Sequence, residues 1–389
     1  MSQCIGLEVK ARNMKVVIAS DSFKGSLSSR EVAEAAMRGI RQVLPICELV
    51  GVNVADGGEG TVDAVVEALG GEVVATVVSD PLGRPISACY GIVGKMAIIE
   101  MAAASGLPLL REEERNPWLT STYGTGEMIM DAVKRGCRDF LVGVGGSATN
   151  DAGMGMLQAL GFRFYNIDDQ EIIDGCGGRL QDVARIDDAG VMDAIRQCRF
   201  TVACDVDTPF CGSEGAAYVF APQKGADMEM VARLDSGMVS FAEVIEKTYG
   251  MDVTSMAGAG AAGGMGGGFY AFLNARLKRG VDMVLDAIDF DSIIRGADLV
   301  ITGEGKIDYQ TVKGKTAAGV LARAKAQDIP VVAIAGRVEM CDSVAQMGFA
   351  GVYPIMENEM PLAVAMQPDF AAANVEKTVK KIVTNLHIS

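Results

Sequence analysis

Residues 139 to 155, DFLVGVGGSATNDAGMG, place an apolar run ahead of Gly145, Gly146, Ser147, Thr149, Asn150 and Asp151. Glycines let backbone N–H groups turn toward one point, hydroxyls add donors, and a helix start contributes positive dipole. Such a loop suits a phosphate or another small anion. The pattern recurs in ASDSFKGSLS (19 to 28), ADGGEGT (55 to 61), GAGAAGGMGGG (258 to 268) and TGEGKID (302 to 308), most of them behind a strand-like run. Three of these loops also carry carboxylates: Asp21, then Asp56 and Glu59, then Glu304 and Asp308. Glycine beside carboxylate suggests phosphate with magnesium, because magnesium is usually held by one or two carboxylates and the substrate's own phosphate oxygens.

Composition removes several other chemistries. The single histidine, His387, lies in the last three residues, so a Ser-His-Asp site, a His-ligated metal or a histidine base would need that tail to fold back. Nine cysteines, none in a CxxC pair, read as reduced thiols of a cytosolic protein and not as a zinc site. A formal charge of −15 argues against a nucleic-acid or anionic-membrane footprint, so any phosphate site must be local. The first thirteen residues lack the apolar core of a signal peptide and read as an extension ahead of the first strand. The predicted localisation is cytoplasmic.

The elements that must position these loops alternate. A strand over 15 to 20 leads to a helix from 29 to 43 announced by a Ser28 and Glu31 capping box, and a strand over 48 to 54 leads to a helix over 60 to 69. Between 72 and 101 short β-rich runs broken by DPLGRP and Gly94 suggest antiparallel pairing. Alternation resumes through FLVGV, FTVACD, a long helix around 228 to 249, a strand over 298 to 302, a helix over 315 to 326 and a strand over 330 to 335. The glycine tract at 258 to 268 reads as a loop ahead of a helical FYAFLNARLKRG. The expected fold class is α/β, with a Rossmann- or flavodoxin-like parallel-sheet domain (14 to 80 plus 286 to 389) interrupted by a second, mixed α/β domain (81 to 285). In open α/β sheets ligands sit beyond the carboxyl ends of the strands, where these loops would converge.

Other motif readings compete. Gly143, Gly145 and Ala148 satisfy the GxGxxA form of a dinucleotide fingerprint, with Asp168 or Asp169 about twenty residues on, which keeps an NAD(P)-dependent dehydrogenase as an alternative. Gly314, Lys315 and Thr316 end like a Walker A loop, but Tyr309 stands where its first glycine belongs. Tyr309 and Lys313 have the Tyr-x-x-x-Lys spacing of some reductases, a permissive pattern.

Seven segments in order, IASDSFKGSLS, VADGGEGT, IEMAAASGL, GVGGSATNDAG, APQKGA, GAGAAGG and TGEGKID, resemble the bacterial glycerate kinases of the first type over nearly all of 14 to 389. The resemblance implies ATP- and magnesium-dependent phosphorylation of D-glycerate, most often at the 2-hydroxyl, on a two-domain α/β architecture with the active site in the interdomain cleft. Relatives often carry TNDGG where this chain has TNDAG; Ala152 adds a methyl but removes neither a donor nor a charge.

Phosphoryl transfer needs the γ-phosphate, the metal and the acceptor hydroxyl held in line, with positive charge near the equatorial oxygens. The candidate phosphate and substrate contacts are Asp21, Ser22, Gly57, Gly58, Gly145, Gly146, Ser147, Thr149, Asn150, Gly258, Gly260, Gly263 and Gly264. Lys24 or Lys306 would neutralise the transferred group. With histidine absent, the base is sought among carboxylates: Asp205 and Asp308 lead, and the other of the pair could hold magnesium. Asp56, Glu59, Asp151 and Glu304 follow as metal ligands. Arg84, Arg337 or the Ser20 to Lys24 loop could take the glycerate carboxylate. Formation of 3-phosphoglycerate, a homo-oligomeric state and a non-catalytic nucleotide- or metabolite-binding role stay open.

Overall fold

The computed structural model describes residues 14–309, 311–313, 315–356 and 361–386, so His387, Gly314 and the first thirteen residues lie outside them. The strands, in chain order, are β1 (Lys15–Ser20), β2 (Glu48–Asn53), β3 (Glu72–Ser79), β4 (Pro85–Val93), β5 (Met96–Glu100), β6 (Asp139–Gly143), β7 (Arg163–Tyr165), β8 (Glu171–Ile172), β9 (Arg185–Asp187), β10 (Arg199–Ala203), β11 (Arg276–Lys278), β12 (Leu299–Ile307), β13 (Val331–Val338) and β14 (Gly351–Pro354). They fall into two compact units, residues 1–56 with 284–389, and residues 57–283.

The first unit is a five-stranded sheet in the order β14-β13-β12-β1-β2, with all four pairings parallel. Parallel strands are covered on both faces and therefore read as unbroken apolar runs. In β1, Val16, Val17 and Ile18 are all fully buried. The helix Ser29–Arg41 starts at the capping box formed by Ser28 and Glu31. Its Val32, Ala36 and Ile40 join Val375 and Val379 of the helix Pro368–Thr384 in one core cluster. Glycine at 39 permits this approach, since a Cβ there would run into the Glu376 carbonyl. The helix Thr316–Lys325 runs against β12 and β13. The strand order turns around between β1 and β12, the switch point at which doubly wound sheets open a crevice.

The second unit holds a six-stranded sheet, β11-β10-β6-β5-β4-β3. Its β11, β10, β6 and β5 are parallel, and β4 and β3 add antiparallel at one side. A small antiparallel sheet, β8-β7-β9, accompanies it. Stacked Phe140 and Phe200, with Phe269 against Phe200, fill the core between the sheet and the helix Ala261–Leu273, which takes in most of the glycine tract expected as a loop and is kinked at Ala262 to Gly264.

Three expectations are corrected. The first segment of the first unit ends at Asp56, not at residue 80. The helix Thr61–Leu69 packs on β4 and β5, and Val62 N–H donates to Glu100 at 2.9 Å. Local alternation says that a helix follows a strand, not which sheet it covers. Secondly, TGEGKID is not a loop after a short strand, because β12 runs on to Ile307. Thirdly, the expected helix FYAFLNARLKRG ends at Leu273, where Asn274 turns to φ 51°, and Arg276–Lys278 is a strand.

Candidate functional site

In the first unit, the loop after β1 and the carboxyl-terminal ends of β12 and β13 line an open cavity of about 970 Å³. Asp21, Lys24, Asp56, Glu304, Lys306 and Arg337 line its polar side, and Ile355, Met356, Leu362 and Met366 its apolar side. Asp21 is 6% exposed, and its carboxylate accepts from Ser22 N–H at 2.7 Å and from the Thr316 hydroxyl at 2.8 Å. Burial pushes its pKa up, the nearby Asp56 charge adds to this, and the two hydrogen bonds oppose it. Glu304, 5% exposed, accepts from the Thr311 hydroxyl. Its pKa is pushed up to about 7, chiefly by burial, with Asp21 and Asp308 adding like charge against Lys315.

Lys24 forms an ion pair with Asp56 at 3.7 Å. Lys306 sits between Asp308 and Glu339, 2.9 Å from each, and Arg337 lies 3.3 Å from Glu339. The sequence candidates Asp21, Ser22, Lys24, Asp56, Glu304 and Lys306 therefore line one cavity, and the buried Asp308 is joined to it through its ion pair with Lys306.

The second unit gathers the other set at the carboxyl ends of β5, β6 and β10. Gly57 is held against Ala203 and Gly280: a Cβ there would come within 2.6 Å of both. Gly58 Cα lies beside Gly145, while Glu59 is exposed. Asp205 is exposed at the end of β10 and accepts from Gly280 N–H at 2.9 Å, at the start of the helix Gly280–Ala287.

Beyond β6, Gly145 and Gly146 are exposed, whereas Ser147, Thr149, Asn150 and Asp151 are buried. Thr149 Oγ1 and Asn150 Oδ1 have no hydrogen-bond partner. Asp151 accepts from Thr122 N–H and the Thr122 hydroxyl, both at 2.8 Å, and from Gly153 and Gly155 N–H at 3.2 Å. Burial still raises its pKa, against those four bonds. The glycine tract packs under this loop: a side chain at Gly263, φ 70°, would meet the Thr149 carbonyl, and one at Gly264 would meet Phe210 and Ala152. Gly258 and Gly260 likewise abut Cys204 and Pro209. These four glycines are seats for neighbouring backbone and side chains, unlike the exposed pair Gly145 and Gly146.

Beneath the loop lies Lys224, from the segment APQKGA. It is 1% exposed, and its ammonium donates to Ser147 Oγ at 2.8 Å and to the Thr149 carbonyl at 2.6 Å. Burial drives its pKa down to about 7, with the Asp151 charge opposing.

The glycerate kinase family model matches residues 16–387 of this chain. The chain is 46% identical over 379 residues to a Bacillus subtilis (strain 168) protein named glycerate kinase, covering 97% of this chain and 98% of that one. It is 45% identical over 346 residues to the Escherichia coli (strain K12) glycerate 2-kinase, covering 88% and 91%. A crystal structure of a putative glycerate kinase 2 from Salmonella typhimurium LT2 superposes with a TM-score of 0.88 at 43% identity, over 96% of this chain and 98% of that one. The chain belongs to the glycerate kinase family.

Membership in the glycerate kinase family displaces the dehydrogenase reading, and the geometry agrees with that. A dinucleotide fingerprint needs a helix to open within its glycines. Here the chain stays irregular from Val144 to Gly153, and Asp169 is paired with Arg185 beside β8. Arg84, a carboxylate candidate, is committed to Asp80 and to Glu114 at 2.7 Å. Ala152 of this family member adopts φ 51°, a left-handed conformation that a glycine takes without strain.

The burial of Lys224 is not legible in the sequence, because lysine in a Pro-Gly-flanked segment reads as solvated surface. The signal available was APQKGA itself, where apolar and small residues surround one charge. Among the described residues no helix is long and apolar enough to cross a membrane.

Proposed function

We propose that this chain transfers the γ-phosphoryl group of ATP to D-glycerate, giving 2-phosphoglycerate, in the cytoplasm. Family membership supports the reaction class, and the 2-position follows the name of the Escherichia coli relative. The structural observation that carries the chemistry is the buried carboxylate pair Asp21 and Glu304 lining a solvent-accessible cavity beyond β1 and β12.

Glu304 is the proton acceptor in this reading. A carboxylate with a pKa of about 7 is ionised in a useful fraction at neutral pH and basic enough to take a hydroxyl proton as the oxygen attacks phosphorus. Asp308 suits this job less, because Lys306 already holds its carboxylate at 2.9 Å. Asp205 is left as the cap of the helix at Gly280. Among the described residues no three His, Cys, Asp or Glu side chains are grouped to hold a metal by themselves. Magnesium does not require three, and Asp21 with Asp56 fits it: the Asp56 charge adds to the cost of ionising the buried Asp21, and a divalent cation would relieve it. Bound there, the cation would draw charge off the phosphate oxygens. Lys24 and Lys306 provide positive charge on the same cavity wall. Asp151 is assigned to anchoring its own loop, since its oxygens already accept four hydrogen bonds.

In the second unit, the exposed Gly145 and Gly146 with Ser147 form the oxyanion seat. The test is ADP release from ATP and magnesium with D-glycerate, L-glycerate or no acceptor, followed by NMR of the product. ADP release that depends on D-glycerate and phosphorus coupled to the C2 proton is expected. No acceptor dependence would end the reading, and coupling to C3 would reassign the hydroxyl.

A further inference from the structure

We propose that Lys224 is a positioning residue for phosphoryl transfer. Its buried ammonium occupies the acceptor side of Ser147, so that the Ser147 hydroxyl proton is presented to an oxyanion resting on Gly145 and Gly146. The inference rests on the kinase reading and on that loop being its oxyanion seat.

An ammonium has donors only, so across the 2.8 Å contact Lys224 donates and Ser147 Oγ accepts. The Ser147 hydrogen must then point elsewhere, and among the described residues Ser147 Oγ donates no hydrogen bond to protein. Ser147 keeps 8% exposure, next to two exposed glycines, which leaves the loop's open side as its direction. The second ammonium bond, to the Thr149 carbonyl at 2.6 Å, pins the other end of the same turn. Lys224 therefore fixes both the shape of the seat and the polarity of its hydroxyl, and it places a buried positive charge behind a bound anion.

A neutral amine could instead accept from Ser147 and turn that proton inward. The low pKa that burial imposes matters here, because a bound anion would favour the charged form. The oxyanion is a phosphate oxygen of the nucleotide or the carboxylate of the hydroxy acid. Both offer the same acceptor chemistry.

The experiment uses the full chain with magnesium, varying ATP and D-glycerate separately, for wild type, Ser147→Ala, Lys224→Met and the double variant, with thermal unfolding of each. Ser147→Ala and Lys224→Met should each raise the KM of the same substrate about tenfold, as expected for a hydrogen bond to a charged group, and the double variant should be no worse than Lys224→Met alone. A rise confined to ATP identifies a phosphate as the anion; a rise confined to D-glycerate identifies the carboxylate. If Lys224→Met does not fold, Ser147→Ala alone decides. Unchanged KM and kcat in Ser147→Ala, strictly additive effects, or a Lys224→Met variant that loses only melting temperature would each overturn the inference. Wild type without glycerate-dependent turnover would instead defeat the kinase reading beneath it.

Discussion

Glu304 carries the sharpest consequences at the scale of the residue. A carboxylate whose folded pKa is raised is stable protonated: its contribution is present below the unfolded value near 4.5 and is lost as pH rises through about 7. In the proposed reaction the same group acts as a base only when ionised. Glu304→Gln should thus lower kcat by about 10²–10⁴-fold while raising stability at pH 8 by on the order of 2 kcal/mol. In wild type, kcat/KM should fall as pH drops below about 7. A flat profile from pH 6 to 9, or a Gln variant that melts lower at pH 8, would remove Glu304 from the role. Asp151 makes the opposite prediction. Its replacement by Ala strands four donors in the interior, from Thr122, Gly153 and Gly155, and should cost about 3 kcal/mol or more in urea unfolding. A loss below about 1 kcal/mol would show that the loop does not depend on it.

At the scale of the element, the glycine tract decides whether the Gly145 to Asp151 loop has a floor. Gly263 combines φ 70° with a Cβ direction that runs into the Thr149 carbonyl. Gly250 has a similar φ, 69°, with nothing within 4 Å. Gly250→Ala should therefore cost about 1 kcal/mol, the left-handed penalty alone. Gly263→Ala should cost clearly more and should lower activity as well, because the Thr149 to Asp151 backbone must move. Equal melting temperatures for the two variants would show that the contact is unimportant.

At the scale of the whole molecule, the second unit is one continuous stretch, 57–283, with its own sheet and core cluster, whereas the first is assembled from two separated segments. A chain of residues 57–283 should fold by itself, with cooperative urea unfolding and dispersed amide resonances. Among the described residues, the segment up to Asp56 supplies only β1 and β2 of the five-stranded sheet, and residues 1–56 alone should remain unfolded. An unfolded 57–283 fragment would mean that its core depends on the other segments.

The sequence by itself determined the α/β class, most element positions and the family, because apolar runs, capping residues and glycine-carboxylate loops are local patterns. The capping box at Ser28 and the helix from Met228 to Tyr249 are cases where nearest neighbours suffice. It also named most of the polar wall of the first unit's cavity, since Asp21, Lys24 and Asp56 follow strand ends and Glu304 and Lys306 lie in the last residues of β12 beside its glycines. Tertiary structure alone decided which sheet the helix Thr61–Leu69 covers, that Asp151 faces Thr122 inside the protein, and that Lys224 is a buried charge under Ser147. Burial and partner identity are set by residues far away in the chain, and the same aspartate or lysine is a solvated surface group, a cap or a poised acid-base group according to what packs around it.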